Sequence, residues 1–276
     1  MTPADRLPRV IVTRPAAQAG PFVQRLRALG LEADALPLID ILPAADPHAV
    51  QAAWQALPGC VLAMFVSANA VQHFFAARPE GCGWPAGTQA GSTGPGTTAA
   101  LRAAGVGADR VVEPADGGPY DTEALWQHLC RRPWAGTRVL IVRGEGGRDW
   151  LARQLQGAGA QVDFVAAYRR RAPAWTDAHR ALVSRALAEP AGWRWHFSSS
   201  ESIDHLLQAC PGVGAAAARA LATHPRIAEH ARAAGFGPVA LVGVRPDDVV
   251  RHLRAEGGGA ADTGAPGGAP IESPPL

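Results

Sequence analysis

Short apolar runs alternate along this chain with longer segments in which apolar residues return every three or four positions, the pattern of buried strands alternating with amphipathic helices. The stretch 138–168, RVLIVRGEGGRDWLARQLQGAGAQVDFVAAY, shows the unit most completely. Val139 to Val142 is short, apolar and rich in β-branched residues, as a strand covered on both faces is. Gly144, Gly146 and Gly147 then permit a tight turn. Leu151 and Leu155 share one helical face, and Gly157 and Gly159 supply a stop before a second extended run from Val162 to Tyr168. The same alternation predicts strands at 10–13, 32–36, 61–66, 88–91, 110–113, 194–198, 219–223 and 238–242. It predicts helices at 47–57, 68–77, 95–104, 121–131, 176–188, 200–209, 225–234 and 246–255, with an earlier one facing the core through Phe22, Leu26 and Leu29. Pro21 is expected to break a helix begun at Pro15, so this first helix starts late or opens on an irregular turn. The segment 37–43, PLIDILP, stays extended between prolines and reads as an inter-domain linker. The whole implies α/β architecture with parallel sheets covered on both faces. The Gly-, Pro- and Ala-rich segment 257–276 reads as a disordered tail.

The chain also repeats itself. Residues 9–39 align with 138–168 without a gap at a spacing of 129, with Arg9/Arg138, Val10/Val139, Arg14/Arg143, Leu26/Leu155, Gly30/Gly159 and Asp34/Asp163 identical. FVSANAVQHFF at 65–75 faces FSSSESIDHLL at 197–207, matching Ser67/Ser199 and His73/His205, and Arg102 to Gly105 faces Arg232 to Gly235. Three blocks in one order indicate an internal duplication of α/β units, with a period too long for a solenoid. Taken alone, the repeat places a domain cut near 136.

At 276 residues and 47% hydrophobic content, two domains are expected. The net charge of +2 is nearly neutral, and all 26 basic residues are Arg. Two explanations stand: guanidinium recognition of carboxylates or phosphates, and guanine-cytosine-rich coding. No basic tract interleaved with aromatics points to nucleic acid. Cys60, Cys82, Cys130 and Cys210 show no C-x-x-C spacing, and the nine His form no close ligand set, which argues against a metal site or a disulfide framework. With no apolar signal core and no apolar run near the ~20 residues of a membrane span, a cytoplasmic protein without membrane partners is expected.

Small or polar residues recur at the predicted carboxyl ends of strands: Thr13-Arg14, Ser67-Ala68-Asn69, Ser92 to Thr97 around Gly94, Arg143-Gly144-Glu145, Ser198-Ser199-Ser200 and Thr223-His224-Pro225. In open parallel sheets ligands bind there, against the amides that begin helices. Each group alone is a helix cap; together they form an anion-binding rim. Gly94 to Thr98 lacks the Lys of a phosphate loop, no G-x-G-x-x-G spacing is present, and no G-x-S-x-G elbow supports a hydrolase. His73 and His205 read as structural. Tyr168, one of two tyrosines, either anchors a domain boundary or donates a proton, since an ordinary phenol is protonated at neutral pH.

The segments VIVTRP at 10–15, PLI at 37–39, FVSANAV at 65–71, GPGTTAALRAAG at 94–105, DTEAL at 121–125, VLIVRGEGGRDWL at 139–151, Tyr168-Arg169-Arg170 and FSSSESI at 197–203 are, in this order and spacing, similar to the uroporphyrinogen-III synthase family. The resemblance covers roughly 9 to 242. It implies two flavodoxin-like parallel-sheet domains joined by a two-stranded extended connector, with the active site in the cleft between them. The first domain would comprise 1–36 and 173–256, the second 44–165, with connectors at 37–43 and 166–172. This boundary replaces the cut near 136, because it accounts for the extended segment 37–43. The implied activity is a cofactor-independent lyase reaction of tetrapyrrole (haem) synthesis, converting hydroxymethylbilane, with its eight carboxylates, into uroporphyrinogen III. A monomer is implied, touching at most the preceding pathway enzyme in passing. By resemblance Tyr168 is the general acid, and Thr13, Ser67, Asn69, Gly94, Thr97, Gly144, Ser198, Ser199 and His224 line the substrate site. Arg14 and Arg143 are either additional clamps or structural. The turn Thr223-His224-Pro225 departs from the family's glycine-threonine pattern, and Glu201 places a carboxylate near an anionic ligand.

Overall fold

The computed structural model describes residues 7–115, 120–213 and 217–258. The chain runs β1 (Arg9–Val12), α1 (Ala16–Ala28), β2 (Ala33–Ala35), β3 (Asp40–Pro43), α2 (Pro47–Ala56), β4 (Leu62–Phe65), α3 (Ala68–Ala76) and β5 (Gln89–Ser92). It continues with α4 (Pro95–Ala103), β6 (Val111–Val112), α5 (Thr122–Leu129), β7 (Arg138–Gly144), α6 (Trp150–Gly157) and β8 (Gln161–Arg171). The last elements are α7 (Asp177–Ala188), β9 (Trp193–Phe197), α8 (Ser200–Ala209), β10 (Ala220–Ala222), α9 (Pro225–Ala233), β11 (Val239–Leu241) and α10 (Pro246–Gly258). They form two compact units, Met1–Asp40 with Ala172–Leu276, and Ile41–Arg171.

The first unit holds a five-stranded sheet, β11-β10-β9-β1-β2, whose neighbours run parallel. Counted within the unit from β2, this is the flavodoxin-like order 2-1-3-4-5. The central strand β9 is buried along its whole length, as a parallel strand between two helical layers must be. Trp195 and Phe197 face a cluster with Phe236, Leu182, Ile203 and Leu206, while the other side of the sheet packs Val10 and Val12 against Phe22, Leu26, Val249 and Leu253. Contrary to the sequence expectation, α1 begins at Ala16 and carries Pro21 inside it. Pro21 and Ala17 are both exposed, so the carbonyl that loses its helical partner faces water.

The second unit holds a six-stranded sheet, β3-β8-β7-β4-β5-β6. Its β7, β8, β4, β5 and β6 stand as β1, β2, β9, β10 and β11 stand in the first. The duplicated blocks are therefore exchanged between the sheets. Strands β1 and β2 of the first copy lie with β9 to β11 of the second, and β7 and β8 of the second lie with β4 to β6 of the first.

Leu38 and Ile39 are buried, with Leu38 in the core of the first unit, whereas Asp40–Pro43 forms the edge strand beside β8 in the second. Residues 166–171 are the end of β8. Helix α10 runs through Gly257 and Gly258, two residues into the segment read as a tail; the rest of that segment, 259–276, lies outside the described residues.

Candidate functional site

Tyr168 reaches its position through an irregularity in the sheet. Val142 pairs with Val165 and Arg143 with Ala166, but Gly144 pairs with Tyr168, leaving Ala167 as an extra residue. Strict alternation would send Tyr168 to the face opposite Val165 and Ala167. The bulge instead brings all three into one cluster with Leu140 and Val142, where Tyr168 is 3% exposed. Its ring lies against Gly144: a Cβ there would stand 3.1 Å from Cζ and 3.4 Å from the phenolic oxygen. The Glu145 N–H donates to the Tyr168 carbonyl at 3.2 Å and closes the strand end.

Helix α3 supplies the polar surroundings. Ser67 caps it, its Oγ accepting from the Ala70 N–H at 3.2 Å, and the same oxygen lies 3.3 Å from the Tyr168 hydroxyl. The His73 ring stacks on the phenol with centroids 5.9 Å apart and planes 26° from parallel. Burial lowers the His73 pKa from its ordinary 6.5, so the imidazole is neutral at neutral pH. The helix is pinned from behind by Trp54, which stacks on Phe74 at 4.6 Å and donates from Nε1 to the Phe74 carbonyl. Asn69 sits half-buried in the first turn of α3.

At the start of α4, Gly94 is the N-cap and its carbonyl accepts from the Thr97 and Thr98 amides. The buried Ser92 hydroxyl bonds the Gly94 backbone, while Thr98 reaches Ser92 and, at 2.6 Å, Glu113. Tyr120, 42% exposed, rests on Gly94, whose Cβ would lie 2.9 Å from the tyrosine Cβ. Thr97 is buried within this turn. Arg143 is not brought to Tyr168. It alternates to the other face, bonds Asp149 and lies over the Phe164 ring at 4.2 Å.

In the first unit, the Thr13 hydroxyl is committed to the His196 carbonyl at 2.8 Å and is 1% exposed. Arg14 donates to the Val244 carbonyl and covers Phe22 at 4.6 Å; burial lowers its pKa. Ser199 caps α8 without a side-chain bond, and Ser198 precedes it half-buried. His224 caps α9 by accepting the Arg226 N–H on Nδ1, so the imidazole does there what a hydroxyl would do. His205 donates from Nδ1 to the Leu38 carbonyl at 2.7 Å.

Against known proteins, the family model described as uroporphyrinogen-III synthase HemD matches residues 20–246. The chain belongs to the uroporphyrinogen-III synthase family. Two curated relatives bear that name: one from Salmonella typhimurium, 31% identical over 188 residues (68% of this chain, 70% of the relative), and one from Escherichia coli, 30% identical over 174 residues (63% and 69%). Solved structures share the fold. A mutant uroporphyrinogen III synthase from the extremely thermophilic bacterium Thermus thermophilus superposes with TM-score 0.58 at 16% identity, covering 90% of this chain and 97% of that one. The Helicobacter pylori uroporphyrinogen-III synthetase gives 0.54 at 13%, covering 91% and 100%. Uroporphyrinogen-III synthases are lyases of haem biosynthesis, and the two parallel sheets seen here are theirs.

Among the described residues no group of three or more His, Cys, Asp or Glu is placed to hold a metal ion, and no helix is long and apolar enough to cross a membrane. By sequence His73 reads as structural and Gly144 as an amide donor; the structure puts both against the phenol. The recurrence of His73 as His205 was the available signal, and it marked a position without revealing its use. Nothing local announced the bulge at Ala167 or the seat of Tyr120 on Gly94.

Proposed function

We propose that this chain converts hydroxymethylbilane into uroporphyrinogen III without a cofactor, with Tyr168 as general acid. The phenolic proton passes to the hydroxyl of the ring A hydroxymethyl group, the C–O bond breaks, water leaves, and the pyrrole nitrogen supplies the electron pair that forms an azafulvene. Ring D then attacks through its substituted carbon, passes through a spiro intermediate and closes inverted, and the proton released from ring D on closure balances the one the phenol gave up. Spontaneous closure gives isomer I without inversion, so the main task is to hold a flexible chain in the orientation that favours the other carbon, a contribution worth several kcal/mol in general.

The observation that carries this reading is the buried phenol turned by a bulge onto Gly144 and flanked by Ser67 and His73. On the strand-end turns of the second unit Arg143 is already paired with Asp149 and Arg148 with Glu123. The substrate carboxylates are therefore assigned to helix-start amides and neighbouring polar groups around Asn69, Gly94, Thr97 and Gly144, with Ser198 and Ser199 on the first unit. Thr13, Arg14, Arg143 and His224 shape their turns through the bonds described above rather than act as free clamps.

The test is product analysis. Hydroxymethylbilane generated in place is incubated with the purified chain, and the oxidised products are separated into isomers I and III. Predominant isomer III is expected; isomer I alone, at the rate seen in buffer, overturns the assignment.

A further inference from the structure

We propose that Ser67 is a positioning residue: its hydroxyl donates to the Tyr168 oxygen, which keeps the phenolic proton turned toward the reaction and stabilises the phenolate left behind. This rests on the reading of Tyr168 as general acid. The direction follows from what each atom can do. The Ser67 oxygen already accepts the Ala70 N–H at 3.2 Å. The positive end of α3 draws its lone pairs toward the helix and turns its single proton away. Among the described residues, the phenolic oxygen of Tyr168, at 3.3 Å, is the partner that proton can reach, and Ser67 is that oxygen's sole hydrogen-bond partner.

The opposite direction would spend the Tyr168 proton on Ser67 and withhold it from the reaction. With the order Ala70 N–H to Ser67 Oγ–H to Tyr168 oxygen, every donor points the same way. The charge that develops on the phenolate then meets a fixed donor, the arrangement that lowers a barrier most effectively. A separation of 3.3 Å is long for such a bond, and catalytic hydrogen bonds commonly tighten once substrate is held. The duplicate position, Ser199, makes no side-chain cap bond and matches no tyrosine, so the relay is a property of this site and not of the repeat.

The chain has two tyrosines, so Tyr120→Phe leaves Tyr168 as the single one. In that background, full-length protein labelled with carbon-13 at tyrosine Cζ reports the phenol directly by NMR at neutral pH. Kinetics are measured separately with Tyr120 intact. Ser67→Ala is expected to move the Cζ resonance and lower kcat by about ten- to a hundredfold with KM little changed. Ser67→Thr, which keeps a hydroxyl, restores both. Ser67→Asp caps α3 equally well but only accepts; it draws the phenolic proton inward, moves the resonance in the opposite sense and lowers kcat at least as far, whatever it does to KM. An unmoved resonance in Ser67→Ala, or a variant that raises KM alone, overturns the proposal and makes Ser67 a substrate contact. Full kcat in Ser67→Asp overturns the direction. Resonances that move as expected in a chain that forms no isomer III leave the hydrogen bond standing and refute the reaction instead.

Discussion

At the strand ends of the second unit the chain places Gly144, Ser67 and His73 beside Tyr168 and Gly94 beneath Tyr120; at the positions matching Gly144, Ser67, His73, Gly94 and Tyr168 the first has Pro15, Ser199, His205, His224 and Ile39. The scaffolds agree strand for strand, down to equivalent helix caps at Ser67 and Ser199 and at Gly94 and His224. What differs is room and reach. Gly144 leaves space for a ring where the first unit has Pro15, and the bulge at Ala167 turns a tyrosine inward. The histidine at the matching helix position stacks on that ring in one unit and in the other donates to the Leu38 carbonyl. Duplication supplied two strand-end rims, and a few differences at one of them surround a buried phenol.

Exchanging residues between the two units breaks the comparison most forcefully at His196. This residue is fully buried, with neither ring nitrogen hydrogen-bonded, and its counterpart in the other sheet is Met64. Burial, reinforced by the charge of Arg14, pushes its pKa from 6.5 down to about 3. Between those values the unfolded chain binds a proton that the folded chain refuses. Stability is therefore fully present above pH 6.5 and falls as the pH drops toward 3, by about 4–5 kcal/mol over the whole window. His196→Met should remove that loss, so urea unfolding of variant and parent should diverge by roughly 2 kcal/mol more at pH 5 than at pH 7. At pH 7 the variant should already be about 1–3 kcal/mol more stable, having no unpartnered buried nitrogen.

Gly144→Ala tests the room that distinguishes the second unit. Its methyl group, 3.1 Å from the phenol Cζ, forces the ring to shift. We expect kcat for isomer III to fall by about ten- to a hundredfold while thermal stability changes little, since small misplacements of a reacting group cost on this scale. The smallest effect separates the two serine caps. Ser67→Ala should cost about 1 kcal/mol of stability in urea unfolding, as loss of a cap bond does. Ser199→Ala, which loses no cap bond, should change it by less than about 0.5 kcal/mol.

Hydrophobic spacing alone located the strands and helices to within a residue or two over most of the chain, because burial between helical layers makes runs such as Val139 to Val142 nearly obligatory. Residue identities at a fixed offset revealed the duplication, but neither they nor the spacing revealed the exchange of β1 and β2 with β7 and β8, since which parallel strands become neighbours depends on contacts between residues far apart in the chain. The first helix shows the limit of a local rule: Pro21 is tolerated because Ala17 faces water. At the site, the polar residues at strand ends were legible as a class. Their division into groups bonded within their own turns, such as Thr13 and Arg143, and groups gathered about the phenol was not, because it is decided by the alternation of faces and by one extra residue in β8.

We propose that the chemistry resides in the bulge-turned phenol. The most direct measurement is the rate of isomer III formation by Tyr168→Phe, with circular dichroism and urea unfolding confirming the fold. A fall of about 10²- to 10⁴-fold is expected, the usual contribution of a positioned general acid, with isomer I replacing isomer III as spontaneous closure takes over. A folded Phe variant that forms isomer III within a few-fold of the parent rate would contradict it.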